Sequence, residues 1–178
     1  MNPKKLTKGK IISPPKSFKA KMKNQEHKSL LFCEKCQSVF YQKSWRHLNQ
    51  VDISDAQKQN LKKTNCPACL MEKTKNYEGE IVMNFFAPLN DQIKQEIKNL
   101  IINISNKEYE RNPLSRLGEF QESENQWKIF FTDNQLAKRI AQKIKKTFLE
   151  SIFSQNQNIE IKFAEEKRPK TRITMTFK

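Results

Sequence analysis

The chain has 178 residues, of which 34 are Lys or Arg and 19 are Asp or Glu, so its formal net charge is +15. This excess is larger than solubility requires and favours a polyanionic partner, with nucleic acid preferred to an anionic membrane surface. The longest apolar run, residues 100–104, is interrupted by Asn103 and falls far short of the roughly 20 residues that span a bilayer. Four cysteines without a secretory signal predict a reducing compartment, the cytoplasm.

Residues 1–28 form a lysine-rich tail with nine Lys and one Glu. Its prolines and its lack of periodicity predict disorder in the free protein, because it cannot bury enough apolar surface to offset the entropy of ordering. We expect the tail to contact phosphates as it folds on binding. The candidate contacts are Lys4, Lys5, Lys8, Lys10, Lys16, Lys19, Lys21 and Lys23.

Residues 29–79 contain all four cysteines and few large apolar groups. Strand-like residues, Val39 to Tyr41, follow the first cysteine pair, and Ser54 with Gln57 indicates the capped start of a short helix before Cys66. A segment of this size with so few apolar residues cannot bury enough surface to fold without a metal ion or another cross-link. We therefore predict a metal-binding module here.

The cysteines form two Cys-x-x-Cys pairs, Cys33 with Cys36 and Cys66 with Cys69. A two-residue spacer lets both sulfurs of a pair face one ion, and two pairs complete the tetrahedral four-sulfur shell that Zn²⁺ prefers. The sequence predicts one structural zinc ion and no open position for catalysis. An iron–sulfur cluster would accept the same ligands, and a redox pair would need an α/β context that is missing. We expect Trp45 and His47 to pack on or beside the module.

Residues 80–178 show regular periodicities. They predict a strand over 80–86, a helix that begins at Asn90 or Asp91, a hairpin over 116–132, a helix from Asp133 to about Phe153 with a capping box at Thr132, and two final strands. The first six elements match a ferredoxin-like βαββαβ domain, with the seventh extending an edge of the sheet. The predicted fold class is therefore α+β, a zinc ribbon or knuckle module followed by this domain.

A second set of cations lies on the solvent side of the second predicted helix: Lys138, Arg139, Lys143, Lys145 and Lys146. Such a row can neutralise phosphates without reading sequence, although a solvated helix face is the simpler interpretation of one helix. Apart from Glu150, four residues after Lys146, no glutamate lies one turn away from these cations, which favours binding. Further candidates are Arg111, Arg116, Arg168, Lys170 and Arg172.

The strand over 126–132 lacks the aromatic consensus of an RNA-recognition motif, so we expect Phe85, Phe86, Phe130 and Phe131 to be core residues. Backbone and shape recognition of folded RNA is then favoured over the reading of single strands. The sequence also lacks a phosphate-cradling glycine loop and a nucleophile motif, which argues against an enzyme and against a small-molecule substrate.

With its knuckles, Trp45 and the turn Asn112-Pro113-Leu114-Ser115-Arg116-Leu117, the chain resembles a family of small bacterial zinc-knuckle proteins over roughly residues 30–164. In that family a Thr-Asp-x-x-Leu-Ala helix start recurs, which is similar to residues 132–137 here. The paired knuckles more distantly resemble the N-terminal zinc region of the archaeal and eukaryotic large-ribosomal-subunit export adaptor. These resemblances do not extend to the lysine-rich tail or to the last predicted strand, so they do not support the predictions for those two parts.

The resemblance implies a ribosome-associated protein, whereas charge and spacing alone indicate a polyanion binder. We therefore expect an RNA-binding accessory factor with rRNA or the ribosome as its partner. Two alternatives remain open: a DNA-binding or transcription accessory protein, and a protein–protein adaptor that uses the zinc ribbon.

Overall fold

The computed structural model describes residues 30–86, 89–153, 159–165 and 170–178. Within these residues the chain is a mixed α+β protein with two β-sheets and four α-helices. The predicted tail over residues 1–28, with all its candidate lysines, lies outside the described residues, and so does Arg168. None of the helices in the described ranges has the length and apolarity needed to cross a membrane.

The smaller sheet lies in the cysteine-containing part of the chain. Its elements and the helices around it are β1 (Leu31–Cys33), β2 (Ser38–Tyr41), β3 (Ser44–His47), a 3₁₀ turn (Leu48–Gln50), α1 (Asp55–Gln59), β4 (Lys62–Thr64) and α2 (Pro67–Thr74). The strand order is β3-β2-β1-β4, in which β1 and β4 are parallel and the other pairs antiparallel. The predicted capping box is confirmed, since Ser54 and Gln57 exchange side-chain to backbone hydrogen bonds.

Several elements of this half were not predicted, among them β4 and α2. The strand β4 has the sequence Lys-Lys-Thr, and its two lysines are exposed, so no apolar alternation marks it. Helix α2 does carry a signal, because Pro67 occupies its first turn, where the missing N–H costs nothing. The cysteine side chain of Cys66 caps this helix in place of the usual Ser or Asp.

The larger sheet and two long helices form the rest of the molecule. Their bounds are β5 (Gly79–Phe85), α3 (Asp91–Arg111), β6 (Leu117–Glu122), β7 (Gln126–Phe131), α4 (Asn134–Phe153), β8 (Ile159–Glu165) and β9 (Thr171–Phe177). The strand order is β6-β7-β5-β9-β8. Both helices pack on one face of this sheet, where every second residue of β5, from Ile81 to Phe85, is buried.

This core is built from aliphatic stripes at helical spacing. Ile93, Ile97 and Ile101 of α3 are buried. The buried stripe of α4 comprises Leu136, Ala137, Ile140, Ala141, Ile144 and Phe148. Trp127 is 2% exposed and packs in the same cluster, so the hydrophobic core of the described residues lies between the two helices and the five strands.

The position of the last strand differs from the prediction. β9 does not extend an edge: it lies between β5 and β8, parallel to β5 and antiparallel to β8. In a ferredoxin-like sheet β8 would pair with β5, so the order differs by one inserted strand. The physical reason is charge: β8 contains Glu160, Lys162 and Glu165, which suit an exposed edge, whereas β9 contains one charged residue, Arg172.

Two of the four phenylalanines assigned to the core are placed elsewhere. Phe85 and Phe131 are buried, but Phe86 follows the end of β5 and is 77% exposed. Phe130 faces the sheet surface opposite the helices, because the neighbouring Ile129 and Phe131 take the inward positions. It packs there on Tyr77, with ring centroids 5.5 Å apart.

The start of α4 is also different in detail. The capping box expected at Thr132 is replaced by Asp133, whose Oδ1 accepts a hydrogen bond from Gln135 N at 2.8 Å. Thr132 Oγ1 instead donates to Leu114 O at 2.7 Å and accepts from Arg116 N at 2.9 Å. Thr132 therefore fixes the turn before β6. This turn carries Arg116, whose side chain contacts the cysteines.

Candidate metal centre

The first cysteine pair lies where β1 turns into β2. Gln37 N donates to Cys33 O at 2.8 Å, closing a tight turn around Glu34 and Lys35. Gln37 has φ 59°, a left-handed conformation that a non-glycine residue adopts only at some cost. This turn places Cys33 and Cys36 on the same side of the chain.

The second pair lies at the start of α2. The parallel pairing of β1 with β4 sets Thr64 beside Cys33, and Cys66 N then donates to Cys33 Sγ at 3.3 Å. Cys69 N, in the first turn of α2, donates to Cys66 Sγ at 3.4 Å. Backbone N–H groups directed at sulfur stabilise thiolates, so the fold prepares both pairs to hold a cation.

The four sulfurs form one cluster. All four Sγ atoms lie within 4.8 Å of one another, and the Cys36 and Cys66 sulfurs are 3.6 Å apart. A tetrahedron with metal–sulfur bonds of about 2.3 Å has sulfur–sulfur edges of about 3.8 Å, so the cluster has the dimensions of a four-cysteine metal site. The cysteines are free thiols, since a disulfide would require sulfurs about 2.05 Å apart.

Electrostatics explain why the cluster fits a cation. Burial, followed by hydrogen bonds and charge interactions with neighbouring sulfurs, raises the pKa of Cys69, and burial likewise raises the pKa of Cys66. Burial also acts to raise the pKa of Cys36, but hydrogen bonds from Ser38 and Arg116 outweigh it and lower that pKa to about 6. Four thiolates at this distance repel one another, and a bound divalent cation removes that repulsion.

Arg116 approaches the cysteines from the larger sheet. Its Nη2 lies 3.6 Å from Cys66 Sγ, and its Nη1 lies 3.7 Å from Cys69 Sγ and 3.2 Å from Glu72 Oε1. The same guanidinium donates to Pro113 O and stacks over Tyr109, 5.1 Å from the ring centroid. Four thiolates with a bound divalent cation would carry a net charge of about −2, which this arginine would partly offset.

The role of Arg116 differs from the one the sequence indicated. It was a candidate phosphate contact, but its side chain is 13% exposed and is used within the protein. Burial would lower its pKa, yet the cysteine sulfurs and Glu72 outweigh that effect and raise it, so the side chain stays charged. The contact spans 50 positions in the chain, so no local pattern marks it.

Trp45 and His47 lie beside the cluster, as predicted. Trp45 packs against the buried cysteines together with Leu114. His47 is not a member of the sulfur cluster: its Nε2 lies 2.6 Å from Tyr109 O, at the end of α3. Gln50 Nε2 donates to Glu110 O at 2.8 Å. Together with Arg116, these contacts join the cysteine-containing half to α3 and the turn that follows it.

The predicted cations of α4 are not equivalent. Lys143, Lys145 and Lys146 are exposed, as expected for a binding surface. Arg139 is half-exposed, but it pairs with Glu108 of α3 at 2.6 Å, so a neighbouring helix supplies the carboxylate that is absent one turn away on α4. Lys138 is partly buried and makes contacts within the fold.

The remaining candidates divide in the same way. Arg172 pairs with Glu80 at 2.7 Å. Arg111 is 77% exposed and lies 3.6 Å from Glu108, which Arg139 already engages. Lys170 is exposed.

Comparison of the chain with protein-family models and with curated proteins finds no match.

Proposed function

We propose that this protein is a non-catalytic RNA-binding factor that associates with ribosomes in the cytoplasm and carries one structural Zn²⁺ ion. The observation that carries the proposal is the row of Lys143, Lys145 and Lys146, exposed on α4 and without an ion pair within the described part of the chain. Cations that no described carboxylate pairs with are available to phosphates, and the net charge of +15 attracts a polyanion to them.

The proposed zinc ligands are Cys33, Cys36, Cys66 and Cys69. Four thiolates fill the shell of a tetrahedral ion, so zinc here would hold the ribbon together and leave no position for water. Elemental analysis of the purified protein should give one zinc per chain and no visible absorption. Stoichiometric iron with broad visible bands would instead identify an iron–sulfur cluster.

The mode of binding follows from the kind of residues involved. Lysines on one helix face contact the phosphate backbone and release counterions, so affinity should fall steeply with salt and depend little on base sequence. The lysine-rich residues 1–28 would add to this effect as they order on the RNA. The resemblance to bacterial zinc-knuckle proteins points to rRNA as the polyanion.

Ribosome sedimentation from a lysate tests the proposal. The full-length protein should migrate with ribosomal particles at low salt and leave them as salt is raised. Retention on DNA with no ribosomal co-migration would support the transcription alternative. Binding that persists at high salt would support a protein–protein adaptor.

A charge-matched pair of variants sharpens the test. Replacing Lys143, Lys145 and Lys146 by Gln should reduce the slope of log affinity against log salt by about 2 to 3. The control replaces Lys58, Lys63 and Lys178, which pair with Asp55, Glu34 and Glu160 at 2.9, 2.9 and 2.8 Å. It removes the same charge from paired positions, so equal slopes in the two variants would reject α4 as the contact surface.

A further inference from the structure

A cleft of about 530 Å³ lies where the two halves of the molecule meet. One side is the hairpin formed by β2 and β3, and the other is the end of α3 with the turn that follows it. Its lining residues include none of the four cysteines and no residue of α4. Its lining combines cations and aromatic rings, the two groups that single-stranded nucleic acid requires.

The charge of the cleft is positive. Lys43, Arg46 and Arg111 line it, and no carboxylate is among its lining residues. Lys43 and Arg46 are exposed and make no ion pair with the described residues. Arg111 shares Glu108 with Arg139, so a single carboxylate faces two guanidinium groups. The opening therefore carries three cations, of which Arg111 shares its carboxylate with Arg139.

The aromatic wall of the cleft consists of Phe40 and Trp45. They lie directly opposite each other on β2 and β3, with ring centroids 5.7 Å apart and an angle of 58° between the rings. Trp45 is partly exposed and also packs against the cysteine cluster and Leu114. The indole is therefore held in place from behind, which lowers the entropy lost when a base stacks on it.

The hairpin turn at the mouth of the cleft is strained. Gln42 has φ 46° and Lys43 has φ 68°, in a two-residue turn where Asn and Gly are the favoured residues. Keeping Gln-Lys here costs stability, and it places a lysine next to the aromatic pair.

We propose that this cleft binds an unpaired nucleotide of an RNA strand, with the base stacked on Trp45 and the adjacent phosphates contacted by Lys43, Arg46 and Arg111. The inference rests on the proposed RNA-binding function and names the element of the RNA that is recognised. It adds single-strand capture to the backbone contacts of α4. An acidic peptide would satisfy the cations but would leave the aromatic wall without a planar partner.

Tryptophan fluorescence of the full-length, metal-loaded protein reports on the cleft directly. The chain has two tryptophans, and Trp127 is 2% exposed in the core, so a ligand-dependent change reports Trp45. A short single-stranded RNA should quench this signal, whereas a duplex of the same length should bind without quenching. Polyglutamate serves as the acidic-peptide probe.

Two charge-matched variants complete the experiment. Lys43→Gln with Arg46→Gln should weaken binding of the single strand by roughly 20-fold, the effect of losing two phosphate contacts. Lys58→Gln with Lys178→Gln removes the same charge from exposed lysines that pair with Asp55 and Glu160, and should leave both the affinity and the quenching amplitude unchanged. All four positions are exposed, so both variants should fold.

The outcomes separate this inference from the proposed function. If the protein binds RNA in a salt-dependent way but Trp45 is not quenched and the two variants behave alike, the cleft proposal is wrong while the proposed function stands. If polyglutamate quenches and RNA does not, the cleft takes an acidic peptide and the proposal is wrong. If no RNA of either form binds, both fail.

Discussion

Arg116 Nη2 lies 3.6 Å from Cys66 Sγ, although the two residues are 50 positions apart in the chain. This contact joins the turn before β6 to the first residue of the second knuckle. Pro113 O receives two hydrogen bonds from the same side chain, at 2.9 Å from Nε and 2.6 Å from Nη2, which fix the direction of the guanidinium. One side chain, that of Arg116, therefore supports both the cysteine cluster and the turn that leads into the larger sheet.

Replacing Arg116 by Met should weaken metal binding by about 10- to 100-fold, because the cluster loses the cation that offsets its charge. The free energy of unfolding should fall by about 2 kcal/mol, because Pro113 O loses two hydrogen bonds and Glu72 keeps Lys35 but loses Arg116 as a partner. Chelator competition and urea unfolding measure the two effects. Arg111→Met, at an exposed site nearby, is the control and should change neither. An Arg116→Met protein with unchanged metal affinity would contradict this prediction.

Removal of the metal should unfold the smaller sheet and leave the larger one intact. Apart from cysteines, the apolar residues buried between positions 30 and 70 are Val39, Ile53 and Ala68, too few to support a fold alone. Hydrogen exchange after chelation should show lost protection in β1 to β4 and α2, with β5, β7 and β9 still protected. Cys66→Ser should reproduce this pattern without a chelator. Retained protection in β1 and β2 would show that the smaller sheet does not need the metal to stay folded.

Gly118→Ala should destabilise the larger sheet by about 1 to 3 kcal/mol. A Cβ atom at this position would overlap Cε1 of the Tyr77 ring. Tyr77 is itself fixed, because it is 8% exposed and packs on Phe130. Urea unfolding of Gly118→Ala, Tyr77→Leu and the double variant forms a cycle. The glycine substitution should cost much less in a protein that already carries Tyr77→Leu; equal costs would mean that the clash is not with the tyrosine ring.

Glu78→Gln should stabilise the protein near neutral pH. Burial, and then the negative charge of Asp133, raises the pKa of Glu78 above its ordinary value of 4.5. The folded state therefore holds this proton more tightly than the unfolded state, so the contribution of Glu78 to stability falls as pH rises through the acid range. The advantage of the Gln variant should be small, about 0.5 kcal/mol after solvent screening, and should shrink below pH 4.5. A constant difference in urea unfolding across this range would contradict the prediction.

The parts of the fold that could be predicted are those with a local signal. Cysteine spacing identified the four residues of the sulfur cluster, and apolar spacing identified both long helices. The contacts of Arg116 with the cysteines could not be predicted, because they depend on how two turns that are distant in the sequence pack together. The same is true of Glu108, which neutralises Arg139 from a neighbouring helix.

The strand order was missed for a related reason. β8 and β9 both alternate apolar and polar residues, so their pattern does not say which one pairs with β5. Counting charges would have favoured β9 for the central position, as only Arg172 interrupts its uncharged sequence. Phe130 was assigned inward because of its residue type, although the alternation of Ile129 and Phe131 already placed it on the other face.

The central position of β9 also sets the order of events during synthesis. Arg172 pairs with Glu80 across 92 positions, so one edge of β5 has no partner until the ribosome has made the residues of β9. Until then the nascent chain presents an open strand edge that can pair with other chains. The sheet is complete only when β5 pairs with β9, and these strands are far apart in the sequence. Folding of this half should therefore be slow relative to the formation of its two helices.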